Sequence, residues 1–202
     1  MKLIYIILIL LFSSCKSENV TEERKFRQII SDSLNYKQAK INTTLLNLSD
    51  IDKGSDSIEI RLWSILAMTD LRFLTDLKYS DSTWGLTETT FWDAFSSDNS
   101  NAKLTELDSS VTKRKRPSID FEKIIDSINY FQIQTLPSQH EIPNFVNRAA
   151  DGVSYTLEIS TKDYYKIVSY DNPNVYNDSS HRKFLKLLKF FNTNLGAFVS
   201  NY

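Results

Sequence analysis

Between Ser57 and Trp63 apolar and polar residues alternate, with Ile58, Ile60 and Leu62 set against Glu59 and Arg61. Successive side chains of a strand point to opposite faces, so this period of two predicts a strand with one dry face. The runs "LRFLTDLKYS" and "TWGLTETTFW" flank the turn-forming pair Asp81-Ser82 and predict a hairpin. Residues 57–92 therefore read as three consecutive antiparallel strands. Alternation returns in "DGVSYTLEIS", where Val153, Tyr155, Leu157 and Ile159 share one face after an Asp151-Gly152 turn and Glu158 falls on the other, solvated face. Thr161-Lys162-Asp163 then reverses the chain into "YYKIVSY". "FQIQTL" reads as one more strand, ended by Pro137.

Elsewhere the spacing is helical. Phe26, Ile29, Ile30 and Leu34 recur at three and four residues behind Thr21, which predicts a first helix capped by that threonine. "KQAKINTTLLNLSDI" fits a second helix or an irregular connection equally well. The polar stretch at 96–103 predicts a surface loop, and "KRKRP" at 113–117 a solvated loop ahead of a helix. Ser118 is placed to cap that helix, with Asp120 and Glu122 near its positive end and Phe121, Ile124, Ile125 and Ile128 as its buried stripe. A last helix starts at Asp178–Ser180, buries Phe184, Leu187, Leu188, Phe191 and Leu195, and stops at Gly196. Strand runs interrupted by helices, without βαβ alternation, indicate an α+β fold. The expectation is an antiparallel sheet of about six strands with helices mainly on one face, closed by the C-terminal amphipathic helix.

The N-terminus follows a different logic. Lys2 supplies a positive charge, Leu3 to Phe12 an apolar run too short to span a bilayer, and Ser13-Ser14 the small residues before Cys15. Cys15 is the single cysteine, so no intramolecular disulfide can form. "LLFSSC" resembles the lipobox of bacterial lipoproteins, with Phe12 where leucine is usual. The resemblance implies a signal peptide at 1–14, cleavage before Cys15, a thioether-linked diacylglycerol on its sulfur and acylation of the new amine by a fatty acid such as palmitate. It also implies a lipidated tether at 15–22, a single α+β domain at 23–202, and an outer-membrane lipoprotein facing the periplasm or the cell surface. Two or three chains anchor stably where one binds marginally. This permissive lipobox, with Lys-Ser and then acidic residues behind it, is similar to those of the Bacteroidota. "DGVSYTLEISTKDYYKIVSYDNPNVY" resembles a segment of small proteins from the same phylum, a resemblance that implies no activity.

Composition then narrows the chemistry. The net charge is −1 with acids and bases interspersed, which argues against nucleic acid as a partner. Four glycines, none clustered, disfavour a phosphate loop, so no cofactor is expected. Two separated histidines exclude the common structural zinc patterns, and "DIDKGSDS" lacks the spaced glutamate of a calcium loop, so Asp50, Asp52 and Asp56 read as turn formers. His140, in a Pro-flanked loop beside Glu141, and His181, at a solvated helix start near Asp178, are the two acid–base candidates. Tyr155, Tyr164, Tyr165, Tyr170, Tyr176, Trp84 and Trp92 are either cross-strand pairs filling the sheet or an interface. The function expected is a non-catalytic, lipid-anchored envelope binding module with an unidentified protein or small-ligand partner, immunity-like in one version. The alternative is an envelope hydrolase using His140 with a nearby carboxylate.

Overall fold

The protein is described here as a computed structural model covering residues 25–93, 106–148 and 151–199. Its centre is one sheet made of β1 (Arg27–Ile30), β2 (Ile58–Leu66), β3 (Leu71–Ser80), β4 (Thr83–Asp93), β5 (Leu107–Lys115), β6 (Val153–Ser160) and β7 (Tyr164–Asp171). The spatial order is β1-β7-β6-β2-β3-β4-β5. Every pairing is antiparallel except β1 with β7, which is parallel. Three helices accompany the described strands: α1 (Ser33–Leu45), α2 (Phe121–Phe131) and α3 (Ser179–Phe190).

The hairpins follow from local chemistry. Asp81 and Ser82 both take positive φ (50° and 61°), which gives the tight two-residue turn whose twist suits a hairpin. Gly152 has φ 137°, and a Cβ there would lie 1.7 Å from Asn172 Oδ1, the atom that accepts from the Val153 amide. Only glycine lets the β6 entry sit that close to Asn172. Asp178 caps α3 by accepting from the amides of Ser180 and His181, and Gly196 ends the helical run in the left-handed region.

Both faces of the sheet are covered. On one, Ile60, Leu62, Leu77, Leu86, Leu157, Ile159 and Val168 pack under Ile124 and Ile128 of α2 and Phe184, Leu187 and Leu188 of α3. Tyr170 stacks on Phe184 with ring centroids 4.1 Å apart. On the other, Trp63, Leu74, Phe91, Tyr165 and Ile167 form a second cluster with Ala39 of α1 and Ile51 of the loop that follows it. Two of the three helices, α2 and α3, pack on one face, and α1 covers the second, which alternation had left to solvent. α1 buries only Ala39, Asn42 and Thr43, so no apolar stripe marks it as a covering helix.

The structure corrects several further expectations. The sheet is mixed and has seven strands, not about six antiparallel ones. Phe26 to Ile30 lead into and form β1 instead of a helix. α1 is capped by Asp32, and Leu34 lies on its exposed side. Thr21 lies outside the described residues. "FQIQTL" closes α2 and forms a 3₁₀ turn, Ile133–Thr135, because Gln132 takes the left-handed conformation. Lys113–Lys115 complete strand β5 where a loop was expected, and Asp120, not Ser118, occupies the cap position of α2. Ser118 instead donates from its amide and hydroxyl to the Asn194 carbonyl.

Candidate functional site

Cross-strand neighbours share a face of the sheet, so the register sets Glu158, Arg61, Asp76, Thr87 and Arg114 in one row on the α1 side. Glu59 and Lys78 form the adjacent pair of that face. Alternation alone would leave Glu59, Arg61 and Glu158 in solvent. α1 and the loop after it bury them. Arg61 is 1% exposed; its Nη2 donates to Glu59 Oε1 at 2.5 Å and to the Ser49 carbonyl at 2.8 Å, and its Nη1 reaches Thr43 Oγ1 at 3.5 Å. Glu158 is 3% exposed and accepts from Trp63 Nε1 at 2.5 Å and Tyr165 Oη at 2.7 Å. Burial pushes the Glu158 carboxyl up, against the hydrogen bonds from Trp63 and Tyr165 and the charge of Arg61. Burial and the neighbouring Glu158 also push the Tyr165 hydroxyl far above its ordinary value.

Where this row leaves the cover of α1 it opens into a cleft of about 570 Å³, lined by Asp76, Lys78, Trp84–Thr87 and Arg114–Arg116. Burial, then the charge of Glu59, raises the Asp76 carboxyl to about 7, against Arg61 and Lys78. Asp76 Oδ1 lies 4.0 Å from Arg61 Nε and Lys78 Nζ 3.5 Å from Glu59 Oε2. Asp76 Oδ1, Arg61 Nε and Glu59 Oε2 are all buried without a hydrogen-bond partner among the described residues. Unsatisfied buried polar groups are costly; of these three side chains Asp76 lines the cleft, while Arg61 and Glu59 are buried away from it. Lys115 is committed to Glu88 and to the Gly196 carbonyl. No carboxylate among the described residues pairs with Arg114 or Arg116, and both are exposed at the cleft's edge. The arrangement can hold an anionic group between three cations, with Asp76 donating when protonated and repelling when ionised.

The histidines lie elsewhere, and neither lines this cleft. His140 sits in the 3₁₀ turn Gln139–Glu141; its Nε2 donates to the Ser31 carbonyl at 2.7 Å and its Nδ1 lies 3.7 Å from Asp32 Oδ2. Three hydroxyls lie nearby, but Ser31 and Ser138 bond each other and Ser169 donates to Asp32. Both His140 nitrogens thus face acceptors of the β1–α1 junction, and no hydroxyl is poised on the ring. His181 is fully buried, which corrects the expectation of a solvated helix start. Its Nδ1 contacts Asp178 Oδ2 at 2.5 Å, its Nε2 contacts Gln139 Oε1 at 3.1 Å, and Phe145, Tyr170 and Tyr176 surround the ring. Burial raises the Asp178 carboxyl, but hydrogen bonds from the His181 amide and ring outweigh this and hold it below the ordinary range.

Tyr155, Tyr165 and Tyr170 are buried in the two cores, so these three fill the sheet and form no interface; Tyr164, Tyr176, Trp84 and Trp92 are half-buried. A second cleft of about 500 Å³ lies between α2 and the β6–β7 turn, walled by Ile58, Ile125, Ile128, Ile159 and Tyr164. Asp50 and Asp52 converge on Lys40, and Asp52 also accepts from Tyr36 Oη at 2.5 Å, while Asp56 lines the second cleft. Among the described residues no group of three His, Cys, Asp or Glu side chains could hold a metal ion, and no helix is long and apolar enough to cross a membrane. Cys15 lies outside the described residues. No family model, no curated protein and no solved structure matches the chain.

Proposed function

We propose that the chain is a non-catalytic, lipid-anchored binding module of the bacterial envelope, tethered through Cys15, which takes an anionic group of its partner into the cleft of Asp76, Lys78, Arg114 and Arg116. The observation that carries the cleft reading is Asp76, a largely buried carboxyl with an oxygen that no hydrogen bond reaches, lining a cleft edged by Arg114 and Arg116, which no carboxylate among the described residues pairs. A buried carboxyl raised to about 7 is costly to keep, and such groups concentrate at functional sites. The lipobox-like "LLFSSC" supports the anchor.

The two halves are tested separately. Cys15→Ala should abolish labelling by a fatty-acid analogue and release the protein from membranes; persistent labelling refutes the anchor. For the cleft, Trp84 supplies an intrinsic fluorophore. Titration of the full chain in mild detergent with inorganic phosphate and with oligoglutamate should give a saturable change in tryptophan emission, weakened about tenfold or more in Lys78→Glu and as the pH rises from 6 to 8. A response that is absent with both probes, or unchanged in Lys78→Glu, refutes the anion cleft.

A further inference from the structure

β5 ends the sheet opposite β1, and among the described residues nothing pairs with its outer edge. The two edges are unlike. β1 has four residues and β5 nine, and a long edge strand is a ready template for another chain. Long edges are usually defended by charge, and Lys113, Arg114 and Lys115 are the residue types that do so. Yet the strand also carries an acid at its other end, Asp108, and at its centre Val111, a valine left 50% exposed in an otherwise polar run.

We infer that β5 pairs antiparallel with β5 of a second copy of this chain, about a two-fold axis through Val111, so that one sheet runs continuously through a dimer. In a continuous sheet, directly opposed residues share a face, which admits only registers that match like faces. Centred on Val111, the register sets Asp108 against Arg114, Ser109 against Lys113, Ser110 against Thr112, and Val111 against itself. Symmetry makes the Asp108–Arg114 pair twice. A register centred on Lys113 or Arg114 opposes like charges, and one centred on Ser110 or Thr112 loses both the valine contact and the Asp108–Arg114 pair. The same basic residues that defend the edge against foreign strands therefore select its own copy. The irregularity of β5 falls at Asp108, which is skipped between the pairs Trp92–Ser109 and Asp93–Leu107 and accepts from Ser109 Oγ at 3.3 Å; the pairing with β4 is regular from Ser109 to Lys115.

This inference shares Arg114 with the anion cleft, but its readout is oligomeric state, so its failure is distinguishable from failure of anion binding. The full chain in mild detergent should sediment as a dimer. Val111→Cys should form a reducible intermolecular disulfide far faster than Met68→Cys, which is exposed on a distant turn, with the wild-type chain controlling for Cys15. Asp108→Arg should weaken the dimer about tenfold or more, and adding Arg114→Asp in the same chain should restore it, with unchanged thermal melts certifying the fold of each variant. A monomeric wild-type chain, no preference for crosslinking at Val111, or a charge-swapped double variant no tighter than Asp108→Arg would each overturn the proposal.

Discussion

Asp76→Asn tests the electrostatics of the cleft floor. The substitution keeps the shape of the side chain and removes its ionisation. Asp76 titrates at about 7 in the folded protein against an ordinary value of 3.8, so folding takes up a proton between those pH values and stability falls as pH rises through that window. About three pH units at roughly 1.4 kcal/mol each set an upper figure on the order of 4 kcal/mol. The side chain is 17% exposed, so solvent screening trims this to about 2–3 kcal/mol. The variant should therefore melt roughly 5–10 °C above wild type at pH 8, and the gap should close steadily as the pH is lowered to 4. Urea and thermal melts of both chains across that range supply the measurement, and other titrating groups cancel in the difference. A gap that does not change with pH would show that Asp76 titrates normally. A variant less stable at pH 8 would show that ionised Asp76 gains more from Arg61 and Lys78 than burial costs, and the reasoning would fail.

Glu158→Lys should destabilise the fold by about 3–5 kcal/mol, because it sets a cation in the row of Arg61 and strips the acceptor from Trp63 and Tyr165; a urea midpoint within 0.5 kcal/mol of wild type, as a solvated face would allow, would contradict the burial. Leu157→Asp, on the opposite face beside Tyr155 and Val168, should cost a similar amount in the same melts, which is the signature of a sheet covered on both sides. His181→Ala should cost about 2–4 kcal/mol and His140→Ala less than about 1.5 kcal/mol, since one ring is enclosed among three aromatics and two hydrogen-bond partners while the other is half-exposed; equal thermal shifts would refute that difference.

Elements whose signal is local were legible in the chain. Strands β2 and β6 announce themselves by period two, β3, β4 and β7 by runs set beside turn-forming residues, and α2 and α3 by apolar stripes at helical spacing. Polar β5 shows no alternation of apolar residues, and β1 is a four-residue strand whose parallel partner lies more than 130 residues away, so periodicity had nothing to report. The site lay in the same blind spot. Alternation correctly sorted Glu59, Arg61 and Glu158 onto the face opposite Leu62 and Leu157, but period two says only that two faces differ, not that the second is dry. That was decided by α1, a polar helix that buries a face without an apolar stripe of its own, and by a register that joins Glu158 to Arg61 across nearly a hundred residues. Burial of a charge depends on what covers it from elsewhere in the chain, and for that reason only the tertiary structure could turn three ordinary surface-type residues into a buried charged cluster.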